Sequence, residues 1–427
     1  MEPVLAVDFG TSTTVAVVRH GDGRSETILF DGAPTLPSAV FAKPGAGLLT
    51  GRDALAAGLA APGRFEPHPK LHVDDEAVWL GVEVTVVDMF AAVLRRVANE
   101  AGPVGRVVLT HPAAWDETRR DTLLRAAGRA GLAPVTLVPE PVAAARYFDA
   151  RSPGPVAVYD FGSGSFNVSV VAEGRVLAAD GLDDLGGLDI DAAVVDLLDT
   201  TIEADDSARE AWSRLRSPRG PEDRRAWRRF AEDVRGAKEL LSRTRQALLH
   251  IPMAERDVPL TREHLETIAE PLIRRTVATT RAALTTAGLT GAAGIYVVGG
   301  ASRMPLVATL LHRILGIPTV TAAEPELVVA RGASLLADEP AREVLLAHAA
   351  ASMRALTTRR RRELATRPVE GTPVADRALE RLPRPTASAP AAPAWRPSTR
   401  ILLGLIAAGA VGVAGIVTLV LWKVAAG

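Results

Sequence analysis

The sequence predicts an α/β chain built as two sheet-plus-helices lobes, and two observations carry that prediction. One loop pattern occurs twice: Val4-Leu5-Ala6-Val7-Asp8-Phe9-Gly10-Thr11-Ser12-Thr13-Thr14 returns 152 positions later as Val156-Ala157-Val158-Tyr159-Asp160-Phe161-Gly162-Ser163-Gly164-Ser165-Phe166. Apolar runs of strand length also alternate with segments of helical spacing. Each loop copy is an apolar strand that ends on an Asp, turns at a Gly and presents small hydroxyl residues. Small residues let backbone N–H groups approach an anion, and the Asp offers a hard oxygen to hydrated Mg²⁺. A single Asp-x-Gly after a strand is commonplace. Two copies in matching context, each leading into a strand pair (turning at Gly21-Asp22-Gly23 and at Glu173-Gly174-Arg175), predict a duplicated domain clamping a phosphate between its halves.

The first lobe, about 1–155, continues with strands near 14–18, 27–30 and 37–42, whereas 43–84 is interrupted by Gly and Pro and resists assignment. Residues 86–101 have the spacing of an amphipathic helix, and 106–110 read as a buried strand ending at His111-Pro112. Asp116 is placed to cap a helix running to about Ala130, which Gly131 stops. Strand 135–138 leads into Pro139-Glu140-Pro141 and a helix to about Asp149. The second lobe, about 156–350, adds a helix from Leu185-Gly186-Gly187-Leu188-Asp189 to about Thr200, then a charged surface segment over 203–229. Helices over roughly 230–245 and 261–286 follow, then strand 295–298, a helix after Pro305, and a last helix over about 325–337.

Composition excludes several classes. With 49 Lys and Arg against 50 Asp and Glu, nothing points to a nucleic-acid surface. The absence of Cys rules out disulfides, thiolate zinc sites and cysteine catalysis, and the eight His residues show no H-E-x-x-H spacing. Met1-Glu2-Pro3 opens no signal peptide.

Beyond 350 the character changes. Residues 351–399 are rich in Arg, Pro and Ala and read as a disordered tether, beginning with the run Arg359-Arg360-Arg361-Arg362. Residues 400–423 read as a transmembrane helix: the uncharged run Ile401–Trp422 would span about 33 Å, enough for a hydrocarbon core of about 30 Å. Arg396 and Arg400 precede it and only Lys423 follows, which predicts a single-pass anchor with the body cytoplasmic and the last five residues outside. Gly404, Ala408 and Gly412 share one helix face. That suits a homodimer through the anchor, and equally an Ala-rich anchor that pairs with nothing.

The motifs together resemble those of the DnaK-type (seventy-kilodalton heat-shock) chaperones, within the actin-like ATPase superfamily. The resemblance covers roughly 4–340 and rests on five motifs in order. These are the two loops, Thr110-His111-Pro112-Ala113-Ala114-Trp115, Pro139-Glu140-Pro141-Val142-Ala143-Ala144-Ala145, and Val298-Gly299-Gly300-Ala301-Ser302-Arg303-Met304-Pro305. It implies a two-lobed actin-like ATPase fold holding ATP or ADP with Mg²⁺ in its cleft. By resemblance, Gly10, Thr11, Ser12 and Thr13 hold phosphate from one side, and Gly162, Ser163, Gly164 and Ser165 from the other, with Gly186 and Gly187 beside them. Asp8 and Asp160 orient hydrated Mg²⁺, Glu140 positions the attacking water, and Lys70 lies near the γ-phosphate. Lys238 and Ser242 match adenosine contacts, Gly299, Gly300 and Ser302 belong to the adenosine loop, and Arg303 stacks on the base. Pro112 and Arg120 resemble the pair that couples nucleotide state to the rest of a chaperone.

Three positions depart from the family pattern. Arg235 stands for an acid before Lys238, Asn167 for an Asp after the second loop, and Glu326 for an Asp beyond the adenosine loop. The outer part of lobe one is compressed, and no alternating strand pattern after 350 suggests a peptide-binding sandwich. The resemblance, joined to the C-terminal uncharged run, therefore implies a membrane-tethered, slow Mg-dependent ATPase switch, read by a protein partner at the membrane. The rivals are a non-hydrolysing nucleotide-dependent scaffold and an actin-like membrane filament protein. A sugar or acetate kinase shares the fold, but the connecting motifs here are chaperone-like and no acceptor-sugar site is visible.

Overall fold

Two sheets with one strand order carry the fold, as the repeated loop predicts. In the first, Val4–Phe9 is central, with Thr13–Arg19 and Ser25–Thr27 antiparallel on one side and Arg106–His111 and Val135–Pro139 parallel on the other. In the second, Val156–Phe161 is central, with Phe166–Ala172 and Arg175–Leu182 antiparallel and Ile295–Val298 and Thr319–Thr321 parallel. Register repeats as well: Asp8 faces Val15 and Phe9 faces Thr14, just as Asp160 faces Asn167 and Phe161 faces Phe166. The computed structural model describes residues 2–148, 154–202, 206–290, 292 and 294–336. All of these lie in one unit, Met1–Leu379.

Helices Val86–Ala101 and Glu117–Arg129 cover the first sheet with Met89, Phe90, Val93 and Leu94. Their caps are those the sequence supplies. Thr85 accepts from the Asp88 amide, Asp116 accepts from the Arg119 amide, and Gly102 ends the first of them at φ 67°. On the second sheet, Gly187–Ile202 and Arg262–Thr286 bury Leu198, Ile273 and Val277, and Thr261 starts the longer helix through a reciprocal capping box with His264.

Between the sheets the connections cross. Glu140–Tyr147 leaves the first sheet yet packs on strands of the second, whereas Val328–Leu336 follows the second and packs on the first. Val142, Ala143, Val328 and Val329 of these helices share one core with Val4, Ala6 and Val108 of one sheet and Val156, Val158 and Val298 of the other. The helices touch where Gly332 meets the Ala143 carbonyl, so closely that a Cβ there would overlap it.

The structure corrects several sequence expectations. The third strand lies at Ser25–Thr27 rather than 27–30, and 37–42 divides into Leu36–Pro37 and Val40–Lys43. The unassigned 43–84 region holds a small sheet, the helix Gly51–Ala60, a 3-10 turn Pro69–His72 and a hairpin of Ala77–Trp79 with Glu83–Thr85. The supposed surface segment 203–229 contains the helix Asp206–Arg216 and the start of Pro221–Leu241. Its charges hid an apolar stripe, for Ala208, Trp212 and Leu215 are buried, and Trp212 packs edge-on against Phe230 at 5.6 Å. The helix drawn to 245 ends at Leu241, and the alternation after it forms a hairpin of Gln246–Ile251 with Arg256–Thr261. The tether at 351–399 and the transmembrane helix at 400–423 lie outside the described residues, among which no helix is long and apolar enough to cross a membrane.

Gly332→Ala tests the helix crossing. In an open helix the change gains about 1 kcal/mol. Here overpacking against Ala143 should reverse the sign, lowering unfolding free energy by roughly 1–3 kcal/mol in a urea titration. A stabilised variant would show that the helices do not meet there.

Candidate functional site

The two loops have the same turn. The Gly10 amide donates to the Thr13 carbonyl at 3.1 Å, and the Gly162 amide to the Ser165 carbonyl at 3.1 Å. They face each other closely, since a Cβ on Gly164 would stand 2.7 Å from the Thr11 methyl. Gly186 and Gly187 close the second loop from behind. The Gly187 amide donates to the Gly162 carbonyl at 3.0 Å and the Leu188 amide to the Ser163 carbonyl at 2.9 Å, and any Cβ on Gly186 would overlap the Ser163 carbonyl. Only glycine permits that approach.

Between the loops, strand ends and one turn bring charges together. Asp8 ends its strand and accepts from the Thr110 hydroxyl at 3.0 Å. Asp160 ends the matching strand, against Gly299, where φ is +84° and a Cβ would come within 2.6 Å of its carboxylate. Glu140 opens its helix and is buried. Lys70, from the 3-10 turn, donates Nζ–H to Glu140 Oε1 at 3.1 Å and lies over the Trp115 ring at 5.3 Å. Burial, reinforced by the negative charge of Glu140, holds both Asp8 and Asp160 well above the usual carboxylate range, while Lys70 pulls the other way. A cavity of about 10 Å³, room for one water, is lined by Glu140, Asp160, Asn167, Ser169 and Asp180.

The remaining candidates fall into two groups. Lys238 reaches the second loop, donating to the Gly187 carbonyl at 2.8 Å and pairing with Asp191 at 2.8 Å. Ser242 caps that helix and its hydroxyl turns back to the Lys238 carbonyl at 3.4 Å. In the 3-10 turn Gly300–Arg303, the Ser302 hydroxyl donates to the Gly299 carbonyl at 2.6 Å. Arg303 is held by Glu326, with Nη2 to Oε1 at 2.7 Å and Nε to Oε2 at 3.1 Å. The departure at Glu326 thus has a local use, fixing the guanidinium plane. The Pro112 carbonyl accepts from His111 Nδ1–H at 2.9 Å. Burial lowers the His111 pKa, Glu140 opposes that, and Arg120 and Lys70 add to it, so the proposed coupling pair borders the same charge cluster.

Sequence reasoning missed Thr110 as the prop of Asp8, Trp115 as the floor under Lys70, Asp191 as the partner of Lys238, and, Lys70 apart, the segment from Phe65 to Asp75. Thr110 and Trp115 sat inside a quoted motif and could have been found there. The 65–75 segment offered no periodicity to read. Arg235 turns to Glu239 at 3.0 Å, and the Asn167 amide donates to the Ser165 hydroxyl at 3.2 Å.

Comparison with known proteins agrees with this geometry. The family model described as Hsp70 protein matches residues 73–347. The chain is similar to the chaperone protein DnaK of Halobacterium salinarum, 32% identical over 360 residues, which cover 78% of this chain and 55% of that protein. It is also similar to the HscA homologue of Bordetella petrii, 32% identical over 374 residues (78% of this chain, 57% of that one). A third relative is the HscA homologue of Burkholderia thailandensis, 35% identical over 271 residues (60% and 41%). The chain spans about half the length of the full relatives it matches. With the family model matching well over half of its residues, the chain belongs to the Hsp70 family.

Proposed function

We propose that the two lobes, an actin-like ATPase fold, bind ATP with Mg²⁺ between their phosphate loops and hydrolyse it slowly as a conformational switch. One observation carries this reading. Lys70 and Glu140, 70 positions apart, meet as an ion pair beside Asp8 and Asp160. A cation and a carboxylate placed there are what phosphoryl transfer to water asks of a protein.

The donor set suits Mg²⁺. Asp8 and Asp160 are hard oxygen ligands, and no group of three or more His, Asp or Glu among the described residues forms an all-protein metal cage. The ion would therefore be held chiefly by phosphate and water, with the two carboxylates orienting its waters. When bound it neutralises charge on the phosphoryl oxygens. The protein's own part is positional. Gly10–Thr13 and Gly162–Ser165 offer N–H and hydroxyl donors, Glu140 orients water from the wall of the small cavity, and Lys70 offsets negative charge. Lys238, Ser242, Arg303 and Glu326 border the adenosine side.

A non-hydrolysing scaffold is the second reading, favoured by the neutral Asn167 opposite Asp160. Glu140→Gln separates them. It should leave ATP affinity within about threefold by calorimetry while phosphate release falls at least ~100-fold. An affinity loss as large as the rate loss would make Glu140 structural, and a wild type that binds ATP without releasing phosphate would leave the scaffold.

Asp160→Asn should move two readouts in opposite directions. Removing a disfavoured buried charge should raise the Tm of the nucleotide-free protein by a few degrees at pH 8, while the Mg²⁺-dependent part of ATP affinity is lost. A carboxyl held above its ordinary value costs stability as pH rises, so the gain should vanish below about pH 4, where Asp is neutral folded and unfolded. An unchanged Tm at pH 8 would place the carboxylate in water.

The switch is further read as membrane-tethered, on the strength of the uncharged run Ile401–Trp422 and the arginines before it. Lobe closure would then be sensed by a protein partner on the cytoplasmic side. Protease added to intact cells should leave residues 1–400 uncut, and their digestion would reverse this orientation.

A further inference from the structure

His68 stands against the first phosphate loop, with Nδ1 3.2 Å from the Ser12 hydroxyl oxygen. The contact is tightly built. His68 lies between Pro67 and Pro69, which restrict the backbone on both sides, and its own amide donates to Glu66 Oε1 at 2.7 Å. The other Glu66 oxygen meets His72 Nε2 at 3.0 Å, and His72 Nδ1 meets Asp75 at 2.8 Å. Glu66, His72 and Ser12 are all buried.

We propose that His68 is the positioning residue of the first phosphate loop, donating Nδ1–H to Ser12 so that the serine proton points at phosphate. This rests on the nucleotide reading above. Phosphate oxygens only accept, and a serine hydroxyl has one proton to give. If Ser12 spends that proton on His68, it turns a lone pair toward the anion and repels it. If His68 donates instead, the serine proton is free. The same 3.2 Å contact serves either direction, so an anion in the loop selects the Nδ1–H tautomer. The ring stays neutral while doing so. Burial lowers its pKa to about 4, and Arg235 and Arg228 of the second lobe add to that, against Glu66 and a hydrogen bond to the Thr11 backbone. His68 therefore contributes direction and no charge, unlike Lys70 two residues later on the same rigid turn.

The test is a double-mutant cycle read with ligands of different phosphate content. Full-length protein, wild type and His68→Ala, His68→Asn, Ser12→Ala and the double variant, is titrated with Mg-ATP, Mg-ADP and adenosine, with Tm recorded for each. His68→Ala should weaken ATP and ADP about 5–10-fold, one hydrogen bond's worth, and leave adenosine unchanged. His68→Asn, whose amide N–H can stand where Nδ1–H stood, should recover most of the loss. The double variant should be no weaker than Ser12→Ala alone. Equal losses for adenosine and ATP, or additive losses in the double variant, would make His68 mere packing. Should His68→Ala unfold, a folded His68→Asn with weakened ATP binding would equally overturn the proposal. A wild type that binds adenosine nucleotides not at all would instead remove the nucleotide reading beneath it.

Discussion

Everything around the cleft depends on one electrostatic constraint: Asp8, Asp160 and Glu140 share a buried space with Lys70 as counter-charge. Burying carboxylates near one another is unfavourable, and a single ammonium offsets only part of the repulsion. The fold holds them there by strands whose ends it cannot move, since Asp8 and Asp160 are the last residues but one of the central strands of the two sheets. A bound cation would relieve the repulsion, so the site is least comfortable when empty. That is the expected condition of a site built for a charged ligand rather than for stability.

The crossing helices decide how such a molecule can move. Because Glu140–Tyr147 lies on the second sheet and Val328–Leu336 on the first, the sheets cannot part at their base without opening a shared core. At the outer edge the contacts are slight and polar. Arg228 stacks on Phe65 at 3.4 Å and Arg225 donates to the Ala60 carbonyl at 3.1 Å. Contacts of that kind are readily exchanged for water. Any opening would fall at the outer parts, and the helix there, Pro221–Leu241, also carries Lys238 to the Gly187 carbonyl behind the second loop. The rim and the second loop are thus joined through one helix.

How much of this was legible follows from range. The repeated loop, the strand–helix alternation and the helix caps depend on residues a few positions apart, and the sequence displays them directly. Asp116 and Thr261 are examples, each a cap whose partner lies three residues on. Lys70 could be placed by resemblance alone, because its partner Glu140 is 70 positions away and its turn is framed by prolines. The Asp206–Arg216 helix was obscured for another reason: its arginines are spent on acids of neighbouring elements, Arg216 on Asp196 and Asp199 and Arg214 on Asp223, so a run that looks solvated is partly internal. The 246–261 hairpin shows a period of two only when Ala247, Leu249 and Ile251 are taken as the buried face.

The departures from the family pattern acquire a common sense in this setting. Asn167 faces Asp160 in register, so an acid there would add another carboxylate to a space already short of positive charge. As an amide it donates to Ser165 instead and stiffens the second loop. Arg235 likewise points its guanidinium to Glu239, while its charge still bears on His68 across the cleft. Asn167 keeps a negative charge out of the interior, and Arg235 keeps one off the half-exposed face of its helix. Fewer negative charges near Asp8 and Asp160 mean less repulsion to hold against.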